Sequence, residues 1–167
     1  MLTEDANNRS TTITWADPAE LVEARKRMSG LEFLRALRAG SLPPPPMASL
    51  LGFWLVEAEP GRVVYEATPA EYHYNLIGVV HGGFAMTLLD STMACSIQTQ
   101  LAAGTGFTTL EVKVNMVRAI TLQAGKLRAI GTIVHPGRSI ATAEGRIEDE
   151  SGKLYAHGST TCMVMSR

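Results

Sequence analysis

Two cysteines in 167 residues are too few for a disulfide framework. Cys95 and Cys162 also lack the spacing of a metal-ligand pair. Each stands in an apolar stretch, M-A-C-S-I and T-C-M-V-M, so both are expected to be small buried residues, with no metal bound. An excess of either charge is missing too: 15 Lys and Arg against 16 Asp and Glu give a net charge of -1. Nothing in that balance draws the chain to nucleic acid or to an anionic membrane surface. No apolar run reaches the roughly 18 residues of a spanning helix. The opening M-L-T-E-D-A-N-N-R-S lacks the basic start and apolar core of a secretory signal, and the expected compartment is the cytoplasm.

What is present is ordinary globular material, 46% hydrophobic and 19% charged. A chain of this length suits one core that buries about two thirds of the surface exposed when unfolded. Residues 1–16 show little apolar periodicity and are expected to be loose. Asp17 then offers a cap and Pro18 a first turn for a charged helix running to Met28. Ser29 and Glu32 have capping-box spacing ahead of Leu31, Leu34 and Leu37, with Gly40 as the stop. These residues form two short helices or one bent one. The run L-P-P-P-P-M, residues 42–47, is expected to be a stiff extended connector. Residues 1–41 are thus a helical extension, and 42–167 the main domain.

In that domain L-L-G-F-W-L-V-E-A-E and R-V-V-Y-E-A-T are strand-like runs joined by Pro60-Gly61, a hairpin signal. From Gly83 to about Ala102 no breaker interrupts a five-turn helix, apolar on most sides between Phe84 and Ile97. Next, T-T-L-E-V-K-V-N-M alternates Leu110, Val112, Val114 and Met116 against Thr109, Glu111, Lys113 and Asn115, the period of a strand with one covered face. Three more strands follow, turning through H-P-G-R and D-E-S-G-K. A hairpin, one apolar helix and then a row of strands predict an α+β fold, in which a mostly antiparallel sheet curls around that helix.

The stretch N-L-I-G-V-V-H-G-G-F-A-M-T-L-L-D, residues 75–90, carries polar groups in what otherwise resembles core. Gly82 and Gly83 open the helix, where backbone N–H groups lack partners and can hold an anion or a developing oxyanion. The plainer account is that His81 caps the helix and the glycines permit close packing. Asp90 is harder to dismiss, because a carboxylate within an apolar helix is costly to bury unpaired. A polar stripe with Thr87 and Ser91 is its plainer account. Asp90 lies seven residues beyond Gly83, on the same face but about 10 Å along the axis. One chain therefore cannot bring both to one carbonyl. Two helices antiparallel about a twofold axis could.

The pattern N-x-x-G-x-x-H-G-G-x-x-x-x-L-x-D, here Asn75, Gly78, His81, Gly82, Gly83, Leu88 and Asp90, resembles the signature of hotdog-fold acyl-CoA thioesterases, nearest to the phenylacetate-pathway (PaaI-like) branch. The resemblance runs from about Leu42 to the end, including T-T-L-E-V-K-V-N and H-P-G-R-S. It implies a hotdog fold, homodimers with shared active sites and sheets joined edge to edge, and further assembly into tetramers. No cofactor is implied, since coenzyme A is part of the substrate. By motif position, Asp90 would attack the thioester or activate water, Gly82 N–H would hold the oxyanion beside Gly83, Asn75 would place thioester or water, and His81 would shape the loop. Thr109 would orient the water, with Thr108 as the neighbour in an adjacent register. Arg138 would meet the phosphates of coenzyme A, with Arg118 and Lys113 as weaker candidates. The rival readings are a noncatalytic acyl-CoA binder, which would not need Asp90, and a hotdog hydratase or dehydratase, whose His lies in a different loop.

Overall fold

The computed structural model describes residues 8–165, so part of the expected loose opening lies outside the described residues. Residues 8–16 carry neither helix nor strand. Two helices follow, α1 (Ala19–Arg27) and α2 (Gly30–Arg38). The Asp17 carboxylate accepts from Ala19 N–H at 2.9 Å, just ahead of α1. The capping box of α2 is formed at both ends: Glu32 N–H donates to Ser29 Oγ, and Ser29 N–H donates to the Glu32 carboxylate. Apolar positions at helical spacing then bury Phe33 and Leu34 in the same core as the sheet.

The proline run is not extended throughout, which corrects the connector expectation. Its last residue opens a short helix, α3 (Pro46–Leu51), capped by Gly52 in the left-handed region at φ 65°. A proline at the first helical position gives up an N–H that would be unpaired anyway, and its fixed φ suits the helix. Leu50 and Leu51 therefore belong to α3, and the first strand starts later than the apolar run suggests.

The six strands are β1 (Phe53–Glu59), β2 (Arg62–Ala67), β3 (Gly106–Met116), β4 (Leu127–His135), β5 (Ile140–Asp149) and β6 (Leu154–Met165). They form one antiparallel sheet in the order β1-β2-β4-β5-β6-β3. The Pro60-Gly61 hairpin and the β4-β5-β6 meander match the sequence reading. The central helix α4 (Gly82–Gln98) lies on the concave side with Leu88, Leu89, Met93 and Ile97 fully buried. Each such side chain contributes about 1.5–3 kcal/mol by leaving water.

Close approach of helix and sheet depends on Gly131 and Gly145, which pair across β4 and β5. A Cβ on Gly131 would lie 2.5 Å from Thr92 O, and one on Gly145 would lie 2.7 Å from Met93 Cγ. Only a bare backbone lets α4 rest there.

α4 stops at Gln98, four residues short of the expected Ala102. Thr99 Oγ1 donates to Ser96 O at 2.6 Å and accepts from Gly61 N–H, while Leu101 O is taken by Gly30 N–H. Hydroxyl back-bonding and docking of α2 thus replace the last helical turn.

The alternation in β3 is also interrupted. A bulge between Thr109 and Glu111 leaves Leu110 facing outward at 56% exposure, and Met116 is likewise half exposed. The bulge shifts the alternation by one residue, so Phe107 and Thr109 before it and Val112 and Val114 after it form the more covered set.

Candidate active site

The start of α4 and the turn before it are bound into one unit. Asn75 Oδ1 accepts from Ile77 N–H at 3.0 Å and Val79 N–H at 3.3 Å, which leaves its amide NH2 to donate elsewhere. His81 N–H donates to His73 O, and Val80 N–H to Ile120 O. His81 is the N-cap of α4: its Nδ1 accepts from Gly83 N–H at 2.9 Å, so its proton sits on Nε2. The Gly83 N–H is therefore occupied. The Gly82 N–H has no partner among the described residues, at the positive end of a helix about 25 Å long. Asn75, His81, Gly82, Met116, Arg118 and Tyr155 border a cleft of about 300 Å³ here.

His73 supports this turn from below. It is buried against Phe84, with ring centroids 4.7 Å apart, and its Nδ1 accepts from Ala70 N–H. Burial pushes its pKa down, and Nε2 has no partner among the described residues.

Asp90 lies two turns further along α4, partly accessible. Thr109 Oγ1 donates to Asp90 Oδ1 at 2.9 Å, which leaves the second carboxylate oxygen able to take a proton from water. The β3 bulge follows directly after Thr109. Thr108, the alternative register, is exposed on the other side of the strand. Buried behind the pair, Cys162 Sγ stands 3.8 Å from Thr109 Oγ1. Cys95, partly buried on α4, stands 3.4 Å from Tyr65 OH, and the desolvation of its thiol pushes it up to about 11. Both cysteines are free; Cys162 is buried as expected, whereas Cys95 is only partly buried against the core. Among the described residues no cluster of His, Cys, Asp or Glu could hold a metal ion.

The structure thus brings Asn75, His81, Gly82 and Gly83 together, and separately brings Asp90 and Thr109 together. The two groups are about 12 Å apart along one helix, and Asp90 does not border the Gly82 cleft. The two arginines lie toward opposite ends of α4. Arg118, ranked below Arg138, borders the Gly82 cleft, with its Nε donating to Leu154 O and its guanidinium 6.0 Å from the Tyr155 ring. Arg138 is in the β4–β5 turn beside Ile97 and Leu101, at the opposite end of α4. Lys113 lies in a groove with Glu144, Arg146 and His157, away from both. Sequence reasoning missed Met116 and Tyr155 as walls, because strand periodicity does not say which strand end passes the start of α4.

Comparison with known proteins agrees with this architecture. The family described as Thioesterase superfamily matches residues 77–156. Acyl-coenzyme A thioesterase 13 of Homo sapiens is 33% identical over 111 residues, 64% of this chain and 76% of that protein. The 1,4-dihydroxy-2-naphthoyl-CoA hydrolase of Listeria monocytogenes is 26% identical over 117 residues, 70% of this chain and 94% of that protein. A solved structure from Ralstonia eutropha, described as a putative thioesterase and phenylacetic acid degradation-related protein, superimposes with a TM-score of 0.71 at 25% identity, covering 78% of this chain and 98% of that one. With an antiparallel sheet around one central helix, the H-G-G helix start and these relatives, this chain belongs to the thioesterase superfamily, as a hotdog-fold thioester hydrolase of the PaaI-like branch.

Proposed function

We propose that the protein hydrolyses acyl-CoA thioesters to the free acid and coenzyme A, at sites shared between two copies of the chain. The observation that carries this reading is the presence of two half-sites on α4: an unpaired Gly82 N–H above a cleft, and the Asp90–Thr109 pair about 12 Å further on. Either half alone lacks what thioester hydrolysis needs. Gly82 of one copy and Asp90 of its partner would supply both when two helices run antiparallel.

In such a site the Gly82 N–H holds the carbonyl oxygen as negative charge develops on it. The free NH2 of Asn75 and the Thr109 hydroxyl orient the thioester and the water. Asp90 takes the proton as water attacks, the tetrahedral intermediate collapses with cleavage of the C–S bond, and the proton returns to the departing thiolate. If Asp90 attacks directly, the same groups serve and water then cleaves the resulting anhydride. Label left in the protein after a single turnover in ¹⁸O-water would identify the direct route, since only attack of water on the anhydride at the Asp90 carbonyl puts it there. Arg118 at the cleft is our first candidate for the phosphates of coenzyme A, and Arg138 would join it only from the partner.

The acyl-CoA relatives support this substrate class. The test is thiol release from aromatic, short-chain and long-chain acyl-CoAs by the parent and by Asp90→Asn. We expect a fall of ~100-fold or more. Undiminished turnover in the variant would reject Asp90, and a parent that binds but never turns over would favour the noncatalytic binder.

A further inference from the structure

Two large apolar side chains stand almost wholly in water beside this site. Leu76 is fully exposed and Ile77 is 81% exposed, at the tip of the turn that begins at Asn75. Single exposed apolar residues are common and mean little. These two are adjacent, and the turn that carries them is fixed. Asn75 Oδ1 accepts from two of its amides, Asn75 N–H donates to Val79 O at 2.8 Å, and Tyr74 bridges to Val80. A turn facing water alone gains nothing from so firm an apolar projection.

Its position indicates the occupant. Tyr74, Asn75, Leu76, Ile77 and His81 border a second cleft, of about 570 Å³. It meets the Gly82 cleft at Asn75 and His81, which border both. The Gly82 cleft carries the Arg118 guanidinium, whereas among the described residues no Lys, Arg, Asp or Glu borders the second. A coenzyme A thioester likewise has two unlike halves, an acyl group and a long arm that is uncharged pantetheine beside the sulfur and polyanionic at its far end, which meet at the C–S bond. With the carbonyl oxygen at Gly82 N–H, near the junction, the polar arm leads out past Arg118 toward its phosphates and the acyl group takes the other cleft.

We infer that Leu76 and Ile77 form the wall of the acyl subsite, and that the preferred substrates carry an apolar acyl group of several carbons or an aromatic ring. This assignment rests on the thioesterase reading above and adds the direction in which the substrate lies. A second copy of the chain is the competing occupant of the turn.

The test compares the parent with the double variant Leu76→Ser/Ile77→Ser. Serine leaves the turn intact, because the bonds of Asn75 go to backbone N–H groups. Hydrolysis of acetyl-, butyryl-, decanoyl- and phenylacetyl-CoA is measured beside the affinity for their non-hydrolysable thioether analogues, with the mass of each assembly from light scattering. We expect kcat/KM to fall ~10-fold or more for decanoyl- and phenylacetyl-CoA, mainly through KM, and progressively less toward acetyl-CoA, with thioether affinities in the same order. An equal loss for all four overturns the inference, since the turn would not then sense the acyl group. A smaller assembly in the variant overturns it as well, since a second copy would then cover the turn. Should the parent hydrolyse none of them, the thioesterase reading falls, and the thioether affinities still decide whether the turn contacts the acyl group.

Discussion

At the scale of single residues, polar groups in the core are the informative ones, and His73 has a consequence that can be measured. Folding buries its imidazole, which lowers its pKa below the ordinary 6.5 and keeps it neutral. The unfolded chain leaves it free to protonate near 6.5. As pH falls below that value, the unfolded state gains a proton that the folded state refuses, so stability drops until the lower folded value is passed. Urea midpoints of the parent between pH 7.5 and 5.5 should therefore fall more steeply than those of His73→Asn, in which an amide oxygen can still accept from Ala70 N–H. Parallel slopes would show that His73 does not contribute to acid sensitivity. The sequence singled out His81 and passed over His73, since burial of a lone histidine leaves no mark on spacing.

At the scale of elements, most of the fold was legible because it rests on periodicity and on punctuation by Gly, Pro and capping residues. The capping box at Ser29 and Glu32, the Pro60-Gly61 hairpin and the apolar helix all follow from local chemistry. What failed depended on contacts distant in sequence. The end of α4 is set by Gly61 and Gly30 from elsewhere in the chain, and the bulge after Thr109 by its pairing with β6. In the candidate site, the H-G-G motif and Asp90 were visible as residues. Which of Arg118 and Arg138 stands beside the Gly82 cleft was not, because that depends on strand order. The N-terminal helices raise a similar point, since Leu34 of α2 is wholly buried in the common core. Truncation of Leu34 to Ala should cost ~2–4 kcal/mol within a single cooperative urea transition. A cost below about 0.5 kcal/mol, or a separate early transition, would mean that α2 is only loosely attached.

At the scale of the whole molecule the question is whether the Gly82 and Asp90 groups of α4 meet in one site. Among the described residues β3 is an edge strand of 11 residues, paired on one side only, with β6. A long unpaired edge with Leu110 turned outward is a natural place for another copy to join. Twofold pairing would set two α4 helices antiparallel and place Asp90 of each against the Gly82 cleft of the other. Chains carrying Asp90→Asn and chains carrying Asn75→Ala should each be inactive alone. When equal amounts exchange freely, half of the dimers are hybrids, and each hybrid joins the intact Asp90 of one chain to the intact Asn75 and Gly82 of the other at one of its two sites. About one quarter of all sites are then whole, and roughly that share of parent activity should return. If each chain instead held a complete site, every site would keep one lesion and no activity would return, whatever the degree of exchange. Recovery near one quarter therefore identifies a site assembled from two polypeptides, and its absence from a fully exchanged mixture excludes one.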